Sequence, residues 1–309
     1  MSEANRQRAE QLHDEAQSLD DDDKALRLYH DALNLDPERS PTLYNIGLIH
    51  KYRGEWADSL TFNRRATMLA PEDEAASWNL AIAATALRDW RTARSTWKRL
   101  GMPIDEGESE FEVDFGMTPV RLNPDDAGEV VWGRRIDPVR VRIGNIPYPS
   151  SGFRCGDVVL HDGAATGTRE WQGQEYAVFN VLELFEPSGY STFEAEIQIG
   201  AEAELQKLCA ALDERGIDCE DWTSNVRLLC KQCSEGRPHQ HHDNTLKASG
   251  DGRHVVGISA VDSDQVRAVL ETWIGHGREL LRLEQKLKPP VRHWLPVTAT
   301  RAMLDLRRT

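Results

Sequence analysis

The chain has 309 residues, of which 39% are hydrophobic and 28% are charged, and its formal net charge is −14 at pH 7. This length is sufficient for two or three domains with apolar cores. No stretch reaches the roughly 18 to 20 apolar residues of a membrane span, and the N-terminus lacks the apolar run of a signal peptide. We therefore expect a soluble, cytoplasmic protein that has no membrane partner.

The negative charge is concentrated in the middle of the chain. Residues 1–100 hold 14 basic and 17 acidic groups, residues 101–277 hold 15 and 31, and residues 278–309 hold 8 and 3. A body of this sign repels the phosphate backbone, so the charge argues against nucleic acid as a partner.

The first third of the chain repeats with a period of 34 residues. The segment Ala-Leu-Asn-Leu-Asp-Pro at 32–37 aligns with Ala-Thr-Met-Leu-Ala-Pro at 66–71, and these segments start 34 positions apart. Helical hairpins of this length form stacked arrays, in which small residues allow close helix approach and proline ends each unit. The residues that match best are Leu43-Tyr44-Asn45-Ile46-Gly47, Gly54-Glu55-Trp56, Ala66 and Pro71.

In this pattern residues 1–103 resemble the tetratricopeptide repeat (TPR) family, and the whole chain is similar to bacterial repeat proteins of unassigned role. The resemblance implies three helical hairpins and a concave groove, formed by the first helix of each unit, that binds a protein or peptide. It places the groove at Glu10, Asp14, Tyr44, Leu48, Lys51, Tyr52, Trp78 and Ile82. Aromatic and aliphatic side chains there favour an apolar or amphipathic segment, although Tyr44 and Trp78 could equally pack between helices.

After the repeats the pattern changes from helical to β. Residues 104–119 alternate acidic with small or apolar residues and predict an acidic connector. Residues 120–190 have a hydrophobic period of two with glycine turns, which predicts a small β barrel or sandwich. The candidate strands are 130–132, 139–143, 157–160 and 177–182.

Residues 191–288 predict the order strand, helix, strand, strand, helix, strand, which is the βαββαβ order of a ferredoxin-like domain. We place strands at 193–199, 222–229, 254–260 and 279–287, with helices at 201–215 and 262–277. The double proline Pro289-Pro290 begins a basic tail at 289–309, which is either disordered or a strap over the acidic body. The fold class is therefore a multidomain α + (α+β) chain.

A group of metal-ligating side chains lies between the second and third strands of this last domain. Cys230 and Cys233 are followed within thirteen residues by His239, His241 and His242. Two thiolates from one turn and two imidazoles complete a tetrahedral Zn²⁺ site. Such an ion would tie a hairpin connection that has few apolar residues to bury, so we predict a zinc-binding hairpin.

Two other interpretations of this cluster stay open. One is a catalytic ion with three protein ligands and a water, for which Asp243 or Glu235 could be the base. The other is a thioredoxin-like redox pair, which the turn-forming residues after Cys233 disfavour.

The remaining cysteines are expected to be reduced, because the total of five is odd and two of them form a metal-type pair. Cys209 lies on the apolar face of a helix and is predicted to be core, and Cys219 is a weaker metal-ligand candidate. Cys155, His161 and Asp162 could form a second cluster, but a structural role is favoured for them.

No Gly-rich phosphate loop, nucleophile elbow, zincin helix or dinucleotide fingerprint is present in the sequence. We therefore predict an adaptor or scaffold that binds a protein or peptide and carries structural zinc. The alternatives are a metal-dependent hydrolase with a TPR arm that recruits substrate, and a module that senses a small molecule.

Overall fold

The computed structural model describes residues 2–126, 128–223 and 252–290. In this part of the chain six helices come first, and a five-stranded barrel and a four-stranded sheet follow. The zinc-binding hairpin predicted at 230–243 and most of the basic tail lie outside the described residues. None of the helices in the described ranges has the length and apolar character that a bilayer crossing requires.

The six N-terminal helices form three consecutive pairs with short connections, which makes the helices of a pair antiparallel. The second helices of the pairs begin at Asp22, Trp56 and Trp90, so successive pairs are spaced by 34 residues. The bounds are α1 Glu3–Gln17, α2 Asp22–Leu35, α3 Ser40–Tyr52, α4 Trp56–Leu69, α5 Glu74–Ala86 and α6 Trp90–Arg99.

Local chemistry fixes the starts of these helices and their close approach. The carboxylate of Asp21, within the acidic run 20–23, accepts a hydrogen bond from the backbone N–H of Lys24 and caps α2. Gly47 brings α3 against α4, since a Cβ at this position would lie 2.4 Å from Asn63 Nδ2. The sequence period therefore corresponds to a regular helical repeat.

The connector that follows α6 is held against both neighbours. Phe111 is buried beside Trp90, and the backbone N–H of Val113 donates to the carbonyl of Ile136 at 2.7 Å. Lys98 contacts Glu106 at 3.0 Å, so part of the connector's negative charge is paired with α6. The segment is thus packed as well as acidic.

Five strands then close into a barrel, which decides between the barrel and sandwich interpretations of this region. Neighbours along the chain pair antiparallel, and a meander of five strands makes the first and last parallel where they meet. The interior holds Val120, Leu122, Val131, Val141, Ile143, Val159 and Val181. The strands are β1 Met117–Leu122, β2 Glu129–Arg135, β3 Arg140–Ile143, β4 Val158–Trp171 and β5 Gln174–Glu186, with a 3₁₀ turn at Pro149–Ser151.

The last part of the chain forms a four-stranded antiparallel sheet with two helices against one face. Among the described residues its element order is βαββαβ, as the sequence predicts, and its strand order is β7-β8-β6-β9. The second described strand, at 218–221, precedes the predicted 222–229, of which only residues 222 and 223 are described. The elements are β6 Ser191–Gln198, α7 Glu202–Asp213, β7 Asp218–Asp221, β8 Arg253–Ala260, α8 Ser263–Trp273 and β9 Glu279–Leu287.

The expectation that all cysteines are reduced is wrong for one pair. Cys209 of α7 and Cys219 of β7 form a disulfide, and their Cα atoms are 5.3 Å apart, within the range that a disulfide spans. Cys209 is half-buried against the core of this domain, whereas Cys155 is a buried free thiol. The short turn between α7 and β7 brings the two sulfurs together.

Candidate functional site

The predicted metal ligands lie outside the described residues. They are Cys230, Cys233, His239, His241 and His242. The residues on either side of that loop are described. The backbone N–H of Trp222 donates to the carbonyl of Val255 at 2.8 Å, and the N–H of Val255 donates to Thr223 Oγ1 at 2.7 Å. The loop therefore begins and ends on adjacent antiparallel strands.

Trp222 fixes this end of the sheet to the barrel. Its side chain is 2% exposed and packs directly on Gly257, where a Cβ would lie 2.2 Å from the indole ring. The indole N–H donates to the carbonyl of Ile146 at 3.3 Å, and the Tyr148 ring lies 5.2 Å away. In the part of the chain that the structure describes, no group of three or more His, Cys, Asp or Glu side chains could hold a metal ion.

The predicted groove divides into two parts with different surroundings. In the first part Glu10 and Asp14 on α1 are exposed, and Tyr44 and Leu48 on α3 are half-buried. Burial is the main reason that the pKa of Tyr44 is raised above its ordinary value. We call the surface formed by these four side chains of α1 and α3 the open face.

In the second part the protein's own barrel lies against the helices. Lys51 Nζ is 2.9 Å from Asp162 Oδ1, and the hydroxyl of Tyr52 donates to Asp162 Oδ2 at 3.0 Å. The side chains of Lys51 and Asp162 are 3% and 7% exposed. A buried ion pair between α3 and β4 thus joins residues that are 111 positions apart in the sequence.

The rest of this contact is apolar and close. A Cβ at Gly163 would lie 2.8 Å from the Trp78 ring, so glycine is what lets β4 approach α5 here. Ile82 is fully buried in a cluster with Val139 and Leu160 of the barrel. Trp78 and Ile82 therefore pack within the protein, and their predicted role in partner binding stays a prediction.

A second cationic contact between the array and the barrel was not predicted from the sequence. Arg140 of β3 is 1% exposed, and its guanidinium lies 4.8 Å from the Trp90 ring and 4.9 Å from the Phe185 ring. It also forms an ion pair with buried Asp137 and donates to the carbonyl of Phe111 at 2.6 Å. The sequence signal for this contact was the alternation of Arg140 with Val139 and Val141, which places the Arg140 side chain on the barrel's outer face.

The cluster of Cys155, His161 and Asp162 considered from the sequence does not assemble. Cys155 lies near Asp218, with its Sγ 3.5 Å from Asp218 Oδ2, while Asp162 faces Lys51. Burial, and then the charge of Asp218, raise the pKa of Cys155 to about 12. Its thiol therefore stays protonated at neutral pH, which is unfavourable for a nucleophile.

His161 is fully buried and electrically neutral. Its Nδ1 lies 2.7 Å from the carbonyl oxygen of Asp162 and donates to it, while Nε2 has no hydrogen-bond partner within the described residues. Burial, followed by the nearby Arg135, lowers its pKa to about 3. This histidine is a structural part of the barrel rather than an acid or base at neutral pH.

No protein-family model and no curated protein matches the chain. A solved structure described as "Novel crystal structure of a hypothetical protein from Neisseria gonorrhoeae" aligns with 59% of this chain and 98% of that one, with 13% sequence identity and a TM-score of 0.27. This similarity is too low to support a statement about fold or function.

Because the Lys51–Asp162 pair is buried, we expect the removal of one charge to destabilise the protein more than the removal of both. Asp162→Ala leaves the Lys51 ammonium without a counter-charge, so we expect the free energy of unfolding in urea to fall by about 3 to 5 kcal/mol. The double variant Lys51→Met/Asp162→Leu removes both charges and should lose much less. Lys207→Met, which breaks an exposed pair with Glu204, is the matched control and should cost less than about 1 kcal/mol. Equal losses for Asp162→Ala and Lys207→Met would contradict a buried pair.

His161 predicts a specific dependence of stability on pH. Unfolded histidine binds a proton below about pH 6.5, whereas folded His161 stays neutral down to about pH 3. The contribution of neutral His161 to the free energy of unfolding is therefore complete above pH 6.5. It is lost as the pH falls towards 3, by at most about 1.4 kcal/mol per pH unit. His161→Gln should reduce this slope in urea unfolding between pH 7.5 and 5. His30→Gln, at an exposed position of α2, should leave it unchanged, and identical slopes for all three proteins would refute the assignment.

Proposed function

We propose that this protein is an adaptor of the tetratricopeptide type, which holds a segment of another protein on its helical array. The observation that carries the proposal is the spacing of 34 residues between the second helices of all three pairs. This equals the length of a tetratricopeptide unit, and three such units are enough for a stable array. Arrays of this kind act by presenting an extended concave surface to a partner.

The open face determines what kind of segment we expect there. Tyr44 and Leu48 are half-buried apolar anchors, and the ring of Tyr52 is 60% exposed beside them. Glu10 and Asp14 form a polar edge on α1. An amphipathic segment that places apolar side chains on α3 and polar ones towards α1 matches this arrangement.

We further propose that the 230–242 loop binds a structural zinc ion through its thiolates and imidazoles. The supporting observation is that the described residues on either side lie on paired strands, so one ion could order the whole hairpin connection. The cytoplasmic location expected from the sequence stays a prediction. The Cys209–Cys219 disulfide argues against it, because disulfides are rare in that compartment.

Metal analysis tests the zinc proposal. We expect about one zinc ion per chain after purification without added metal, and loss of that zinc in Cys230→Ser and Cys233→Ser because each removes a thiolate ligand. Cys155→Ser changes a buried thiol elsewhere and should keep full zinc content. A metal-free protein with unmodified thiols would contradict the proposal. A Cys230→Ser protein that stays folded but loses a hydrolytic turnover would instead favour a metal-dependent hydrolase.

Peptide selection tests the adaptor proposal. Peptides selected by phage display on the full chain should bind the open face, and their affinity can be measured by fluorescence anisotropy. Tyr44→Ala should weaken binding about tenfold, since a buried aromatic anchor is worth 1 to 2 kcal/mol as an order of magnitude. Met68→Ala, at a position of α4 that is 74% exposed, is the control. If both variants bind equally well, the open face is not the binding surface.

A further inference from the structure

A cavity of about 490 Å³ lies where α3 meets the barrel. The apolar residues that line it are Tyr52 of α3, Phe153 of the β3–β4 connection, and Val181 and Leu182 of β5. This volume is within the range of about 300 to 1,000 Å³ that is usual for a specific binding pocket. Neither Lys51 nor Asp162 lines it.

The charged side chains that line this cavity, within the described ranges, all carry negative charge. They are Asp125 and Asp126 of the β1–β2 connection and Glu183 of β5. Lys51 of α3 does not line the cavity; its ammonium is paired with Asp162 and lies 4.3 Å from the centroid of the Tyr52 ring. Glu183 Oε2 accepts a hydrogen bond from Trp56 Nε1 at 2.8 Å. Because the indole N–H is a neutral donor, this hydrogen bond does not neutralise the charge of the Glu183 carboxylate.

Glu183 is partly removed from solvent at this position. Burial raises the pKa of its carboxyl group, and the hydrogen bond from Trp56 offsets only part of that effect. A carboxylate in this situation gains stability from any cation that enters beside it. The cavity therefore combines a preference for positive charge with walls that favour an apolar stem.

We propose that this cavity receives a primary ammonium or guanidinium group on an aliphatic stem, contributed by a lysine or arginine side chain of the partner. The ring of Phe153 can contact such a cation, and the stem can lie along Leu182. The ring of Tyr52 already has Lys51 Nζ 4.3 Å from its centroid, so Tyr52 contributes an apolar wall. A metal ion is less suited, because among the described residues no three His, Cys, Asp or Glu side chains are grouped closely enough to hold one.

The partner is the expected source because the cavity continues the open face. Tyr52 directly follows Lys51 on α3, is largely exposed, and belongs both to the predicted groove and to the cavity wall. A segment bound along α1 and α3 would reach the cavity at Tyr52. This inference rests on the proposed adaptor function and specifies the chemistry of one residue of the bound segment.

The test uses the full chain and small probes that do not depend on knowing the partner. N-acetyl-lysine methylamide and N-acetyl-arginine methylamide should bind saturably in ligand-observed NMR, whereas the uncharged N-acetyl-norleucine methylamide should not. Asp126→Asn and Glu183→Gln should each weaken the cationic probes about two- to fivefold, as expected for partly exposed charge pairs. Glu271→Gln removes the same charge from an exposed position of α8 and should leave binding unchanged.

The outcomes separate this inference from the adaptor proposal. Equal binding of the norleucine and lysine probes, or no effect of Asp126→Asn and Glu183→Gln, overturns the cationic site. Spermidine that binds more tightly than either amide and does not compete with the selected peptides would assign the cavity to a free polyamine and overturn the partner as source. A selected peptide that depends on Tyr44 but tolerates Asp126→Asn and Glu183→Gln would refute this inference and leave the adaptor proposal intact.

Discussion

The buried ion pair between Lys51 and Asp162 is the constraint that sets how the helical array and the barrel meet. Two charges removed from water are stable only when each is placed against the other with its remaining hydrogen-bond sites filled. Here Tyr52 supplies a further donor to the Asp162 carboxylate, and Gly163 lets the strand come close enough to Trp78. A few polar atoms therefore specify how the helical array sits on the barrel. The apolar cluster around Ile82 adds to the same contact.

This constraint divides the concave side of the array. Side chains that in an isolated array would face a partner are used internally on α5, while those between α1 and α3 remain accessible. Tyr52 lies at the boundary, because its hydroxyl is bound to Asp162 and its ring is exposed. Under the proposed adaptor function, an open face of this length would hold a short partner segment better than a long one.

Local patterns were sufficient to predict the elements, and long-range contacts were not. The 34-residue period and the βαββαβ order follow from hydrophobic spacing, which is a property of neighbouring residues. Lys51 gave no sign of its partner because Asp162 is 111 positions away. The strand at 218–221 was not predicted, because its sequence Asp-Cys-Glu-Asp has no apolar alternation. The Cys209–Cys219 disulfide depends on how a turn folds back, and spacing alone does not specify this.

The difference between local patterns and long-range contacts also bears on the proposed zinc ion. The sheet on which the loop stands has its own core, in which Phe193, Ile197, Leu208 and Trp273 are buried, and Trp222 ties that sheet to the barrel. Since β7 and β8 are already paired at the base of the loop, the ends of the loop are held together without a metal. An ion bound at 230–242 would therefore not be needed to hold β7 and β8 together. Its loss would change what the loop can contact while the described domain stays folded, unlike small zinc domains, in which the metal supplies most of the folding free energy.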